Sequence, residues 1–383
     1  MERVRPIAYP CGMLARPECG HALTVRPAHP SETPAGRGVP MRDMGHDTLS
    51  EVLRAVRLRG AVYFYVTGEA DWSAEAPPGR DIAAEVMPGV DHVIEYHVVA
   101  RGQCWAAVVG AAPVRLSEGD VVLFPQGDAH VVSSAPGLRP ASDSRAEIIA
   151  AAHLPKPVPV AMRGPAPPVP IPDEGAPNVL VCGFLGCDLR PFNPLVASLP
   201  RLLHIPATGG SDWVATMMHQ AVRETREHGA GSEAVLERLS ETMFVDAIRR
   251  HLGALPEGSR GWLAGLRDRT VGKALSLLHE RPADPWTIER LSERVGLSRS
   301  ALHDRFVHFV GHAPMQYLAH WRMQVAAGAL AESSSPVASI ALDVGYDSEA
   351  AFSRAFKRIV GVPPGEWRRR HRPGALSATN VEG

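Results

Sequence analysis

Residues 288–311, IERLSERVGLSRSALHDRFVHFVG, and 337–361, VASIALDVGYDSEAAFSRAFKRIVG, are two versions of one helical unit, and no other feature of the chain restricts its fold as tightly. Ser298 and Ser348 lie fifty residues apart, as do Leu302 and Phe352, Phe306 and Phe356, and Gly311 and Gly361. Ahead of the turn the offset is forty-nine, pairing Ser292 with Ala341 and Val295 with Val344, so the second turn is one residue longer. Self-similarity of this kind marks one supersecondary unit used twice.

Each copy has the parts of a helix-turn-helix. A first helix ends at Gly296 or Gly345, where positive φ costs little, and Ser298 or Ser348 then caps a second helix. That second helix can bury Leu302, Phe306 and Val310, or Phe352, Phe356 and Ile359, which leaves its other face for base edges and phosphates. The outward residues are Arg299, Ser300, His303, Asp304 and Val307 in the first copy, and Glu349, Ala350, Ser353, Arg354 and Lys357 in the second. Arg354 and Lys357 suit phosphate or guanine; Asp304 and Glu349 either accept from cytosine N4 or only cap and repel. Between the copies, PMQYLAHWRMQVAAGALAE reads as one long helix with Tyr317, Leu318, Trp321, Val325 and Leu330 as its apolar stripe. Such a spacer can hold two reading heads about one turn of DNA apart, roughly 34 Å.

Charge agrees with a polyanionic partner only when taken region by region. The whole chain has a formal charge of -1, yet residues 261–372 carry 16 Lys and Arg against 11 Asp and Glu. Within 350–372 seven basic residues, Arg354, Lys357, Arg358, Arg368, Arg369, Arg370 and Arg372, face Glu366 alone. A basic end on a mildly acidic body is the electrostatic footprint of nucleic-acid binding, although a solvated charged tail has the same composition. The segments WTIERLSERVGLSRSALHDRF, YLAHWRM and IALDVGYDSEAAFSRAFKRIVGVPPGEWRR make residues 268–370 resemble the DNA-binding domain of the AraC/XylS family of transcriptional regulators. The resemblance implies that both recognition helices enter successive major-groove segments on one face of double-stranded DNA. Asp304 stands where family members often carry a basic residue, so the first helix is expected to work through Arg299, Ser300 and His303, or to contribute less.

Upstream, residues 1–45 have prolines, arginines and little periodicity, and read as a disordered extension in which Met41 or Met44 is an alternative start. Leu49, Val52, Leu53 and Val56 then recur at helical spacing after Asp47 or Thr48 as N-cap. From Gly60 to about Ser133 short apolar runs broken by Gly and Pro (AVYFYV, HVIEYHVV, CWAAVV, VVLFP, AHVV) predict an all-β barrel or sandwich. Residues 154–177 contain nine prolines and are expected to be a loop or linker, with NVLVCGFL as a returning strand. Two helical stripes follow over 211–252: Trp213, Met217, Met218, Ala221 and Val222, then Val235, Leu236, Leu239, Met243 and Ile248. They predict a helical hairpin that serves as core or dimer interface. Residues 253–266 read as a linker, 267–372 as the DNA-binding domain and 373–383 as a tail.

Within the barrel, GDVVLFPQGDAH (Gly119–His130) resembles the second cupin motif, G-x5-P-x-G-x2-H. Glu95 and Gly102 have the Glu-to-Gly spacing of the first motif, but its paired histidines are missing. Glu95 and His130 remain of a cupin metal set, with His92 and His97 as extras. That is a poor basis for a divalent ion, and no cofactor or metal is expected. The plainer reading is that His97 and His130 hydrogen-bond inside the barrel or meet a ligand's polar group, with Trp105 packed on an apolar ligand or simply in the core. Glu95, His97, Trp105 and His130 are therefore the candidate effector pocket. The order of parts from about 46 to 372 resembles the cupin-sensor subgroup of that family.

The expected architecture is multidomain α+β: a cupin-like β-barrel (a double-stranded β-helix) over 46–210 with a helical hairpin, then an all-α tandem helix-turn-helix. The expected function is a sequence-specific, effector-responsive transcriptional regulator, not an enzyme. It would be cytoplasmic and homodimeric, with an unknown small-molecule effector and RNA polymerase as further partners and no membrane association. The sequence has no run of eighteen uncharged apolar residues, and its five cysteines form no CxxC pair. Two rivals stand beside this reading: a metal-dependent cupin dioxygenase or isomerase with a helical appendage, and a structural DNA-binding protein without a sensor.

Overall fold

The computed structural model describes residues 47–69, 71–162, 175–207, 216, 217, 220, 224 and 230–371. The extension over 1–45, most of the first hairpin helix with Trp213, Met218, Ala221 and Val222 of its stripe, the central part of the Pro-rich insert and the tail over 373–383 lie outside the described residues, while Met217 of that stripe packs against the core.

Asp47 caps helix α1 (Thr48–Ala55) by accepting from the Ser50 amide at 3.1 Å, and Val52 and Val56 are fully buried beneath it. Among the described residues ten strands follow in two facing sheets. β1 (Arg59–Gly68), β3 (His92–Arg101), β6 (Val121–Phe124), β8 (Val158–Met162), β9 (Asn178–Cys187) and β10 (Leu203–Ile205) form the larger, in the order β10-β6-β3-β9-β1-β8. β2 (Ser73–Ala76), β4 (Gln103–Val108), β5 (Val114–Ser117) and β7 (His130–Ser133) form the smaller, in the order β2-β7-β4-β5. The long strands β1, β3 and β9 are rich in Val, Tyr, Phe and Ile and buried on both faces, as central strands covered from both sides must be. Short helices α2 (Ala83–Val86), α3 (Arg145–Ala151) and α4 (Pro194–Ala197) lie in the connections.

The Pro-rich stretch 154–177 is not wholly a loop. Val158–Met162 pairs in parallel with β1, from Phe64↔Val158 to Gly68↔Met162. Pro159 is tolerated because β8 is the last strand of its sheet, where a missing N–H breaks no ladder on the open side.

Helix α5 (Ser232–Ala254) lies on the outer face of the larger sheet. Ser240 Oγ is 2.7 Å from the Tyr96 hydroxyl, and Leu236, Met243, Phe244 and Ile248 are buried. Most of the stripe read as a hairpin or dimer seam is thus spent on the barrel, while Val235 is 41% exposed. The linker expected over 253–266 is also shorter than that. Residues 262–267 form helix α6 (Trp262–Arg267), in which Trp262, Leu263, Ala264, Gly265 and Leu266 are buried. Trp262 donates its indole N–H to the Tyr317 hydroxyl at 2.8 Å, an apolar anchor that a free linker would not supply.

The C-terminal helices are α7 (Arg269–Glu280), α8 (Ile288–Val295), α9 (Arg299–Val310), α10 (Pro314–Glu332), α11 (Val337–Asp343), α12 (Glu349–Val360) and α13 (Pro364–His371). Barrel residues Tyr65, Ile94 and Tyr96, helix α5, and Leu302, Phe306, Tyr317 and Trp321 of the first helix-turn-helix all belong to one continuous core. The second helix-turn-helix has a separate core built on Met323, Ile340, Phe352, Phe356 and Trp367. No helix among the described residues is long and apolar enough to cross a membrane.

Candidate functional site

The repeat folds as two helix-turn-helix units, α8/α9 and α11/α12, on the 19-residue helix α10. Gly296 and Gly345 take φ of +77° and +84° and end the first helix of each unit. The closing bonds correspond as well: Leu297 N–H to Ser292 O at 3.1 Å, and Tyr346 N–H to Ala341 O at 2.9 Å. The extra residue of the second turn is therefore Asp347. Ser298 Oγ then accepts from Ala301 N–H and Ser348 Oγ from Ala351 N–H, both at 3.3 Å.

With Leu302, Phe306, Phe352 and Phe356 fully buried, the other face of each second helix is turned to solvent. Arg299, Ser300, His303, Asp304, Glu349, Ala350, Arg354 and Lys357 are exposed, and Ser353 is half-buried. Arg299 is held by an exposed ion pair with Glu289 at 3.0 Å, a contact that salt or a phosphate readily displaces. Arg305 is not on this face. Its guanidinium is spent on Asp268, the N-cap of α7. Arg354 and Lys357 make no ion pair with another described residue, so their charge is available to a ligand.

The second site is a cavity of about 260 Å³ between the two sheets of the barrel. Glu95 and His97 are two residues apart on β3 and so share its inner face. His130 opens β7 of the opposite sheet, where the tight turn at Gly127 places it. His97 and His130 meet Nε2 to Nε2 at 2.8 Å, and Glu95 Oε2 is 3.8 Å from His130 Nε2, too far for a hydrogen bond. Burial pushes the Glu95 carboxyl up to about 8 and the His130 imidazole down to about 4, a fall that the Asp128 carbonyl only partly offsets. Burial, with His130 alongside, holds His97 well below the ordinary histidine range. All three groups are therefore neutral near pH 7.

Neutrality fixes the tautomers. His130 Nδ1 is 3.1 Å from the Asp128 carbonyl oxygen, which can only accept, so Nδ1 carries the proton and Nε2 is an acceptor. His97 must then donate from Nε2, which leaves His97 Nδ1 a bare lone pair. That atom is buried without a protein partner, as are Glu95 Oε1 and Trp72 Nε1.

This arrangement does not suit a divalent ion. Nitrogens bound at about 2.0–2.1 Å to one tetrahedral metal stand roughly 3.3 Å apart, whereas these two share a proton. Among the described residues no group of three His, Cys, Asp or Glu side chains is placed to hold a metal. His92 faces away from the pair, with Nε2 2.7 Å from the Pro125 carbonyl.

Trp105 does not line the cavity. Its neighbours Cys104 and Ala106 point inward, which turns the indole to the outer face of β4. The tryptophan of the cavity is Trp72, at 1% exposure, and Phe64, Phe184 and Val132 complete much of the apolar wall. Glu147 of helix α3 and Leu154, three residues beyond its end, rim the mouth. Sequence patterning missed β2 and α3 because both are too short for a periodicity to show.

Comparison with known proteins bears on both sites. A cupin family model matches residues 47–253, and a helix-turn-helix domain model matches 291–370. An AraC-like transcription regulator of Streptomyces lividans is 32% identical, over 84% of this chain and 98% of its own length. The chain belongs to the AraC-like transcription regulators. The regulator is also 26% identical to the HTH-type transcriptional regulator AlkR of Acinetobacter baylyi, over 84% of this chain and 99% of that one. Among solved structures, the DNA-binding domain of AdpA in complex with a target DNA is 26% identical over 30% of this chain and all of its own length, with a TM-score of 0.27. This AraC-like protein is a DNA-binding transcriptional regulator whose sheet-rich cupin region precedes a helical reading domain.

Proposed function

We propose that the regulator reads its operator through Arg299, Ser300, His303 and Asp304 of α9 and Glu349, Ala350, Ser353, Arg354 and Lys357 of α12, under control of a small molecule held in the barrel. It acts in the cytoplasm as a homodimer that contacts RNA polymerase, and it is not an enzyme. The observation that carries this reading is the shared core: the outer face of the barrel's larger sheet, α5 and the first helix-turn-helix pack as one body, while the second unit has its own core. A ligand that favours one packing of the barrel thereby favours one placement of α9 relative to α12. The neutral, hydrogen-bonded His97–His130 pair supports a binding pocket over metal-assisted chemistry. For the dimer, the outward side of α5 around Val235 is the surface the barrel leaves free.

The test begins with a genome-wide map of bound sites, from which a cognate duplex is taken. Arg354→Ala should weaken binding to that duplex by about 1–3 kcal/mol at fixed salt and leave binding to random duplex nearly unchanged. Unaltered affinity and footprint in the variant would remove α12 from the interface.

A further inference from the structure

The space between the two sheets has a polar end and an apolar end, and strand register decides which residues face it. On the inner face of the larger sheet Val158 pairs with Phe64 and Val160 with Val66, joining β8 to β1, and Phe64 and Val66 lie opposite Cys182 and Leu180 of β9. His97 and Glu95 extend that face onto β3, opposite Cys182 and Phe184. Phe64, Val160 and, from the smaller sheet, Ala74 line the cavity and are only partly buried, so the surface they keep is turned into it. The polar end offers far less. Glu95 and His130 are buried, His97 Nε2 is engaged by His130, and the unpartnered atoms His97 Nδ1, Glu95 Oε1 and Trp72 Nε1 are covered by their neighbours. No Lys or Arg lies among the described lining residues.

We propose that the barrel binds an uncharged, hydrocarbon-like molecule of about ten non-hydrogen atoms, held by apolar contact at the β1–β8 end and needing no hydrogen bond. The size follows from the volume: a cavity of about 150 Å³ holds benzene, and this one is about 260 Å³. Such a molecule gives up no hydrogen bonds on leaving water, and it takes the open surface of Phe64, Ala74 and Val160 out of water with it. A carboxylate or phosphate would lose its hydration with no cationic side chain on the described wall to replace it. A polyol would lose hydrogen bonds that the covered atoms of Glu95, His97 and Trp72 cannot restore. This inference rests on reading the barrel as the effector-binding part, and it adds the class of effector.

The experiment uses the full chain and three probes of one shape: tert-butylbenzene, 4-tert-butylphenol and 4-tert-butylbenzoate. In calorimetric titration tert-butylbenzene should bind at least as tightly as the phenol and at least tenfold more tightly than the benzoate. Val160→Trp, which fills the apolar end from β8, should weaken tert-butylbenzene at least tenfold. Should that variant misfold, Val160→Thr keeps the shape of the side chain, sets a hydroxyl on the apolar wall and should weaken tert-butylbenzene at least threefold. A phenol that binds more tightly than the hydrocarbon, a benzoate within tenfold of it, an unchanged hydrocarbon affinity in the folded Val160 variant, or no binding of tert-butylbenzene overturns the proposal. Operator affinity is measured in parallel. Hydrocarbon binding that leaves it unchanged would sink the effector reading of the barrel while the ligand class stands.

Discussion

At the scale of single residues the barrel interior is a set of groups kept uncharged by burial, and two opposite pH dependences follow. Glu95 ionises near 4.5 in an unfolded chain and at about 8 in the fold. Its contribution is thus complete below 4.5 and is lost as pH rises towards 8. His130 has the reverse sense: displaced from 6.5 to about 4, it contributes fully above 6.5 and loses that contribution as pH falls to 4, with His97 in the same direction. Cys182, close to Glu95 and itself raised by burial, stays a thiol throughout this range. Glu95→Gln, which cannot ionise, should gain on the wild type by a few degrees in Tm between about pH 5 and pH 8. A Tm difference that is flat with pH would mean that Glu95 is not a buried neutral acid.

Among the elements, the placement of one reading head against the other depends on how α10 holds the turns around it. Arg322, midway along α10, donates from Nε to Pro282 O at 2.7 Å, from Nη2 to Asp284 O at 2.9 Å and from Nη1 to Gly345 O at 3.2 Å. One guanidinium thereby joins the loop that enters α8 to the turn between α11 and α12. Lys cannot reproduce a three-point fork. Arg322→Ala should cost about 2–3 kcal/mol, and footprinting should show protection lost first over the half of the operator read by α12. Uniform loss over both halves would mean that the contact stabilises the domain without setting the angle between its heads. Gly345 is as constrained as its φ implies, since a Cβ there would lie 2.5 Å from the Ala283 carbonyl oxygen.

For the molecule as a whole, Gln324 is the buried polar link between sensor and reader. Its Oε1 accepts from the Phe192 amide and its Nε2 donates to the Ala55 carbonyl, both at 2.9 Å, so that α10, α1 and the loop after β9 meet at one side chain. Phe192 also packs against Tyr317, His312 and His320. Gln324→Leu leaves an amide and a carbonyl unpaired inside the protein and should cost about 1–3 kcal/mol. Because barrel and first helix-turn-helix share a core, the wild type should melt as one unit through both, and the variant should show an additional transition in calorimetry. A single transition at unchanged Tm would show that the apolar contacts suffice.

What local chemistry encodes was legible residue by residue. The glycines and serines that begin and end α8, α9, α11 and α12, the one-residue lengthening of the second turn, the helix from Pro314 to Glu332 and the exposed faces with Arg354 and Lys357 all follow from short-range rules of capping and periodicity. Glu95, His97 and His130 could likewise be named from spacing within a strand and its turn. What lay beyond the sequence depends on partners distant along the chain. Trp105 lies within β4 and Trp72 immediately ahead of β2, and which of the two indoles turns inward is set by how those strands pair with β7. Val158–Met162 is a strand because β1 offers an edge, and α6 is helix because Tyr317 and its neighbours receive Trp262. A chain can carry its own turns and caps in its letters; which sides of its elements become interior is decided only when the elements meet.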